Sequence, residues 1–308
     1  MRRALLVFVD GVGMGRPGAC NPFDGAPVEI LAPLARAEAA KRPDVVCIPL
    51  DATLGHAGLP QSATGQATIF TGEDAMRVAG GHREGYPTRA VAELVTRASM
   101  LRRARDAGKR AGFLNAFDAP RAARIAAMAA DGVTRREGRR RLRPSASALC
   151  ALAGGGSLRT FEDARAGRAA TFDLTGEVCR AFGLDAPRRS IRGAARAVAD
   201  GAAELDLALF EMFLTDKAGH AQDMTWARVE IVRLERFLEE LFAAVDPHRQ
   251  LVVVTSDHGN LEDLSTRTHT LAKVPLLAFG AGAGAFAAGA GSLLDLAPRL
   301  LEAIQEED

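Results

Sequence analysis

Six runs of this chain are almost wholly apolar and about as long as one strand: Ala4–Val9, Val45–Pro49, Ala111–Ala116, Leu205–Leu214, Leu251–Thr255 and Val274–Phe279. A strand with one face in water alternates apolar and polar residues, whereas a run that stays apolar belongs to a strand covered on both faces. Helix-period patterns lie between the runs, at Ala26–Lys41, Thr88–Ala107, Ile191–Ala203, Thr225–Val245 and Leu293–Ile304, the last opening on Ser292 as an N-cap. Alternation of this kind predicts an α/β fold with a doubly wound, mostly parallel sheet and helices on both of its faces. The rhythm breaks between about 118 and 193, a stretch rich in Arg and Ala and punctuated by Gly154-Gly155-Gly156. The expected organisation is a core in two parts, 1–117 and 194–308, with a small insert or cap at 118–193.

With 48% hydrophobic and 25% charged residues in 308, the chain can bury a core. No stretch approaches the ~20 apolar residues of a membrane span. Met1-Arg2-Arg3 followed by Ala4–Val9 has the outline of a signal peptide, but the apolar run is short, ends at Asp10 and precedes no small-residue cleavage site. It reads as the first strand of a cytoplasmic protein. Cys20, Cys47, Cys150 and Cys179 are scattered, which suits buried or free thiols and neither a disulfide frame nor a metal knuckle. A net charge of +1 points to neither nucleic acid nor membrane as partner. The charge is unevenly placed: residues 118–193 hold 15 Arg against 8 Asp and Glu, a net +7, which leaves −6 for the rest. An acidic body under a basic cover suits a carboxylate-rich metal site that receives an anion. The plainer alternative is that Arg135–Arg143 is a solvated face.

Three of the runs end in an aspartate. Asp10 follows Leu5–Val9, Asp216 follows Phe213-Leu214-Thr215, and Asp257 follows Val252–Ser256. The carboxyl ends of parallel strands share one edge, where α/β proteins build their sites. Three carboxylates gathered there repel one another unless a cation or proton sits among them. Histidines accompany them: His220 four residues after Asp216, His258 directly after Asp257, and His269 just before the last apolar run. Asp and His ligands without Cys suit Zn²⁺ or Mn²⁺. The segment Gly58–Gly72 adds a hydroxyl, Ser62, at the start of a short helix, a place that favours a phosphate or a serine alkoxide; Ser62 as a simple N-cap is the alternative. Gly13-x-Gly15-x-x-Gly18 matches a dinucleotide fingerprint literally, but Pro17 and Pro22 flank residues that do not open a helix, and Asp10 would face the pyrophosphate.

Taken together, Asp10-Gly11, Ser62-Ala63-Thr64-Gly65, Asp216-x-x-Gly219-His220, Asp257-His258-Gly259-Asn260 and His269-Thr270 resemble, in content and order, the alkaline phosphatase superfamily. The run from Ser256 to Glu262 and the pair His269-Thr270 with Val274-Pro275 are similar to its branch of cofactor-independent phosphoglycerate mutases and phosphopentomutases. The resemblance covers roughly 230 of the 308 residues, all outside the insert. It implies an alkaline phosphatase-like core and two divalent metal ions, Mn²⁺ or Zn²⁺. One would be held by Asp216, His220 and His269; the other by Asp10, Asp257 and His258, with Ser62 Oγ as a further ligand. Such a pair lies about 4 Å apart and clamps a phosphoryl group. It further implies Ser62 as the catalytic nucleophile, a phosphoserine intermediate, and a small anionic phosphorylated substrate. The phosphoryl group then passes to water in a phosphatase or to another hydroxyl in a mutase. A member that binds metal and phosphate without turnover is the other reading.

Two departures stand out. The mutases carry a larger inserted domain than the roughly 75 residues here, and they have Gly-His where this chain has Gly65-Gln66. The Pro and Arg of the sulfatase motif are missing from Ser62–Gln66, which favours phosphate over sulfate esters. Three residues are lesser substrate-binding candidates. Asn115 sits near the end of a strand at the same edge, Lys217 is beside Asp216, and Arg121 lies in the basic insert with the Arg135–Arg143 cluster.

Overall fold

Each of the six apolar runs contributes one strand to a single sheet: β1 (Arg3–Val9), β2 (Val45–Leu50), β3 (Ala111–Phe113), β4 (Leu207–Met212), β5 (Gln250–Thr255) and β6 (Val274–Gly280). The structure is a computed structural model, and it describes residues 3–36, 42–131, 136–137, 140–141 and 143–305. The strand order is β2-β6-β5-β1-β4-β3. β5, β1, β4 and β3 run parallel, and β6 is antiparallel to both β5 and β2. The doubly wound, mostly parallel sheet is therefore as the sequence implies. The reversal of β6 has a simple cause. The connection from β5 returns to the sheet at the edge it left, without a crossover, so the next strand must run back.

Alternate residues of each strand feed two cores. On β1, Ala4, Leu6 and Phe8 face one apolar cluster and Leu5, Val7 and Val9 the other, all buried. Each such side chain contributes on the order of 1.5–3 kcal/mol when removed from water. The first cluster is closed by helix α1 (Ser62–Thr71), by helix α2 (Ala146–Leu152) from within residues 118–193, and by the helices Arg89–Ala98 and Leu296–Ala303. The second is closed by helix Ile191–Ala203 and by helix α4 (Met224–Ala244), which follows helix α3 (Leu214–Ala221). On α4 the buried positions Ala227, Ile231, Leu234, Leu238, Leu241 and Phe242 recur at helical spacing, which is why this stretch is legible as a helix.

The stretch Ala26–Lys41 behaves differently: the described helix is only Pro33–Arg36. Proline fits the first turn of a helix but not its interior, so the helix starts at Pro33. Upstream, the buried carboxylate of Glu235 accepts the N–H groups of Glu29, Ile30 and Leu31 at 2.7, 2.8 and 3.0 Å, replacing helical bonds. Thr88–Ala107 is likewise two helices, because Ser99 is extended (φ −62°, ψ 145°).

β3 leaves the sheet early. Ala116–Phe117 pairs instead with Arg159–Thr160. At the departure point Asn115 stands in for the missing ladder: its Nδ2 donates to Glu211 O at 2.8 Å and its Oδ1 accepts from Glu211 N at 2.7 Å. No helix among the described residues is long and apolar enough to cross a membrane.

Candidate metal centre

The neighbouring strands β5, β1 and β4 end at the same edge, and Asp257, Asp10 and Asp216 lie just beyond those ends. The turns there are tied together. Thr215 Oγ1 donates to Asp10 O at 2.6 Å, and Val12 N donates to Ser256 Oγ at 2.8 Å. Gly11 has φ +71°, and a Cβ on it would stand 2.7 Å from Asp216 Oδ1. Glycine is needed at this position both for its backbone and for the approach of Asp216.

Two donor sets meet at His258. The ligand atoms of Asp10, Asp257 and His258 lie within 4.8 Å of one another, and so do those of Asp216, His258 and His269. His258 Nε2 is 2.9 Å from Ser62 Oγ, 3.3 Å from Asp10 Oδ1 and 3.4 Å from Asp257 Oδ2. His269 Nε2 is 3.7 Å from Asp216 Oδ1 and 3.2 Å from His220 Nε2, and His220 Nε2 is 3.3 Å from Asp216 Oδ2. All seven residues singled out as ligands in the sequence thus gather at one place. Ser62 is the first residue of α1, whose N-cap is Gln61. Its hydroxyl faces His258, so simple N-capping is not its role.

Two of the imidazoles are oriented for coordination. His220 Nδ1 faces Arg267 O at 2.7 Å and His269 Nδ1 faces Pro60 O at 2.8 Å. A carbonyl only accepts, so each Nδ1 carries the proton and each Nε2 turns a lone pair to the centre. Electrostatics point the same way. Burial, then the charge of Asp257, raises Asp10 to about 8, and burial raises Asp257 as well. Burial by itself lowers His258, but Asp257, Asp10 and Asp216 outweigh it and lift that group to about 10. Burial and the neighbouring His258 push His269 down to about 4. Asp10 Oδ1 and His258 Nδ1 are buried without a hydrogen-bond partner among the described residues. Crowded carboxylates, which without a cation hold a proton on His258, and an unpartnered carboxylate oxygen fit divalent cations, whose charge would replace that proton and offset the mutual repulsion.

Several supporting residues escape a reading of the sequence. Gln66, noted there only as a departure, points its amide into the centre, where Nε2 donates to Asp10 Oδ2 at 3.4 Å and Asp257 Oδ2 at 3.3 Å. Asn260 Nδ2 donates to Asp216 Oδ1 at 2.7 Å. Glu262 is a hub: it accepts from Gly13 N at 2.9 Å, from Asn260 N at 2.8 Å and from Thr270 Oγ1. A Cβ on Gly13 would lie 2.4 Å from Glu262 Cδ. The literal dinucleotide fingerprint therefore reflects room for a glutamate, not for a pyrophosphate. The advance signal for Asn260 and Glu262 was their place in the run Ser256–Glu262 that carries the resemblance.

The lesser candidates lie apart from these donor sets. The Asn115 amide is engaged by the Glu211 backbone. Lys217 is exposed, its Nζ 5.7 Å from the Phe213 ring centroid. Arg121 is exposed at the start of helix Ala119–Asp131, where its N–H donates to Asp118 Oδ1. Of the Arg135–Arg143 cluster, Arg135 and Arg139 lie outside the described residues.

The architecture is the alkaline phosphatase-like fold, with two Asp/His donor sets at one edge of its sheet. Residues 176–308 match the family model of the Metalloenzyme superfamily. It is 31% identical over 93 residues to the 2,3-bisphosphoglycerate-independent phosphoglycerate mutase of Methylobacillus flagellatus, covering 28% of this chain and 18% of that one. It is 37% identical over 67 residues to the phosphopentomutase of Methylobacterium radiotolerans, covering 22% and 16%. The matches therefore span about a fifth of the length of these curated relatives. Likeness over the whole chain comes from solved structures. The PH0037 protein of Pyrococcus horikoshii superposes with a TM-score of 0.60 at 17% identity, covering 100% of this chain and 98% of that one. The alkaline phosphatase of the Antarctic bacterium TAB5 gives 0.56 at 14%, covering 99% of each. At such identities the likeness is one of fold.

Proposed function

We propose that this chain is a two-metal phosphoryl-transfer enzyme acting on small phosphate monoesters, with Ser62 as nucleophile. The observation that carries the reading is the Ser62 hydroxyl, 2.9 Å from His258 Nε2 at the junction of the two donor sets. Asp10, Asp257 and His258, with Ser62 Oγ, would hold one cation, and Asp216, His220 and His269 the other. When bound, Mn²⁺ or Zn²⁺ supplies Lewis-acid charge that lowers the pKa of a hydroxyl and offsets charge on phosphoryl oxygens.

The protein's own part is positioning. α1 aims Ser62 Oγ from its positive end, which favours an alkoxide and an incoming phosphate. Oγ attacks phosphorus in line; the bond from phosphorus to the ester oxygen breaks, and the alcohol leaves on the far side. His220 and His269 are held by backbone carbonyls, so the far side needs no reorganisation. The phosphoserine then gives its phosphoryl group to water or to a second hydroxyl.

The test is turnover by protein stripped and reloaded with Mn²⁺ or Zn²⁺, with an aryl phosphate and a panel of sugar phosphates. Free phosphate and positional isomers are both followed. Ser62→Ala should lower turnover at least about a thousandfold while metal stays bound. Phosphate release identifies a phosphatase and isomer formation a mutase. Metal bound without Ser62-dependent turnover would sink the reading in favour of a binding protein.

A further inference from the structure

The chain between β4 and Asp216 is short. β4 ends at Met212 and α3 starts at Leu214, with Asp216 in the first turn of that helix and His220 in its last. The place where α3 starts therefore sets where two of the donors stand. Its N-cap is Phe213, and a phenyl ring accepts no backbone N–H, so a side-chain cap does not fix the start. On the core side the segment is tied to Asp10, whose N–H donates to Met212 O at 2.8 Å and whose carbonyl accepts the Thr215 hydroxyl.

On its other side the segment meets residues 118–193. The ring of Phe213 stacks on that of Phe172, with centroids 4.2 Å apart and planes 21° from parallel. Two residues earlier, the buried Glu211 carboxylate accepts the hydroxyl of Ser147, at the start of α2. Phe172 is itself held by what flanks it in the chain. Before it, Ala170 N donates to Leu114 O at 3.1 Å and Ala170 O accepts from Ala116 N at 2.9 Å, which fastens the segment to the end of β3. After it, the buried Asp173 carboxylate accepts from Gly176 N at 3.2 Å and from Val178 N at 2.7 Å. A ring fixed at both flanks can hold the ring stacked on it, since an aromatic pair is attractive beyond the area it buries.

We propose that the insert buttresses the metal centre: Phe172, stacked on Phe213, is a positioning residue that sets the start of α3 and with it Asp216 and His220. The inference rests on the two-cation reading and gives residues 118–193 a part in it. Asp10, Asp257 and His258 follow β1 and β5, so that donor set feels Phe172 only at second hand.

The test measures Mn²⁺ affinity by calorimetry on the metal-stripped protein and on Phe172→Ala, Phe172→Leu and Phe172→Tyr. The set Asp10, Asp257 and His258 is read alone in a His220→Ala background. Phe172→Ala should weaken the ion at Asp216, His220 and His269 about tenfold, as expected on losing a group that supports a ligand, and leave the other ion within about twofold. Phe172→Tyr keeps a stacking ring and should restore the parent affinity. Phe172→Leu keeps bulk without the ring plane and should fall between the two. A lowered Tm with both affinities unchanged, or equal weakening of both ions, overturns this inference alone. Where Phe172→Ala fails to fold, an unchanged affinity in Phe172→Leu overturns it. A parent protein that takes up no ion at Asp216, His220 and His269 overturns the two-cation reading, and this inference with it.

Discussion

The two halves of the centre hold like residues in unlike surroundings. The side chains of Asp257 and His258 are 0% exposed, whereas that of His220 is 44% exposed. In the closed half the two carboxylates are held by neighbouring groups: Gln66 bridges Asp10 and Asp257, and Gly11 N donates to Asp257 Oδ1. In the open half the supports are mostly single backbone contacts, one carbonyl for each of His220 and His269. A buried donor set is rigid and dry and suits the fixed activation of a nucleophile. A solvent-facing one suits exchange and the departure of an alcohol. The difference teaches that one edge of a sheet can supply two chemically similar donor sets at different depths under the neighbouring loops.

The comparison can be broken most directly by removing one imidazole from each half. His258 would ligate the cation of the closed half and lies against donor atoms of the other, so His258→Ala should abolish binding in the closed half and weaken it in the open one, whereas His220→Ala should cost only the open half its ion. Metal content by mass spectrometry after gel filtration separates the outcomes. An open half that binds its ion as tightly in His258→Ala as in the parent would show that the halves are independent. A smaller effect is expected at Gln66. Replacing it with Leu removes the amide that links Asp10 and Asp257 and should weaken the closed half about 10–100-fold, leaving the open half unchanged. Calorimetric titration with Mn²⁺ reads this, and equal weakening of both halves would count against the distinction.

The smallest expected effect lies beneath the closed half. Glu211 is buried and receives the Ser147 hydroxyl at 2.6 Å; burial raises it from 4.5 to about 7. Its protonated form is the one the fold prefers. Below pH ~4.5 both folded and unfolded states hold the proton and the group is neutral in its effect. As pH rises toward 7 the unfolded state releases the proton first, so stability falls. Glu211→Gln keeps an acceptor for Ser147 and removes that slope. The variant should be more stable than its parent above pH 7, on the order of 2 kcal/mol, and equal to it near pH 4. Chemical denaturation of the metal-free protein at the two pH values checks the sign, and a variant less stable at high pH would reverse it.

How much of this was legible depended on whether the signal was local. Continuous apolar runs marked all six strands, since burial on two faces acts on each residue separately. Asp216 and His220, four apart on α3, and the adjacent Asp257 and His258 announced themselves by spacing. Of the helix expected at Ala26–Lys41, of which residues 37–41 lie outside the described residues, the part before Pro33 does not form because the carboxylate that captures its N–H groups, Glu235, is about two hundred residues away. Asn115 looked like a group for substrate and proved to be engaged by the Glu211 backbone, since nothing local shows where a strand leaves its sheet. Gln66 was visible only as a mismatch, and Glu262 only as a neighbour of His258.

The sequence by itself determined the class of sheet, the edge on which the carboxylates fall and the kinds of ligand atom, because strand burial and donor chemistry belong to the residues themselves. Tertiary structure decided what depends on distance and depth. It made His258 the meeting point of the two donor sets, reversed β6 and placed Glu262 against Gly13. It also buried His258 completely while leaving His220 exposed. Those outcomes follow from packing segments far apart in the chain, and no local pattern encodes them.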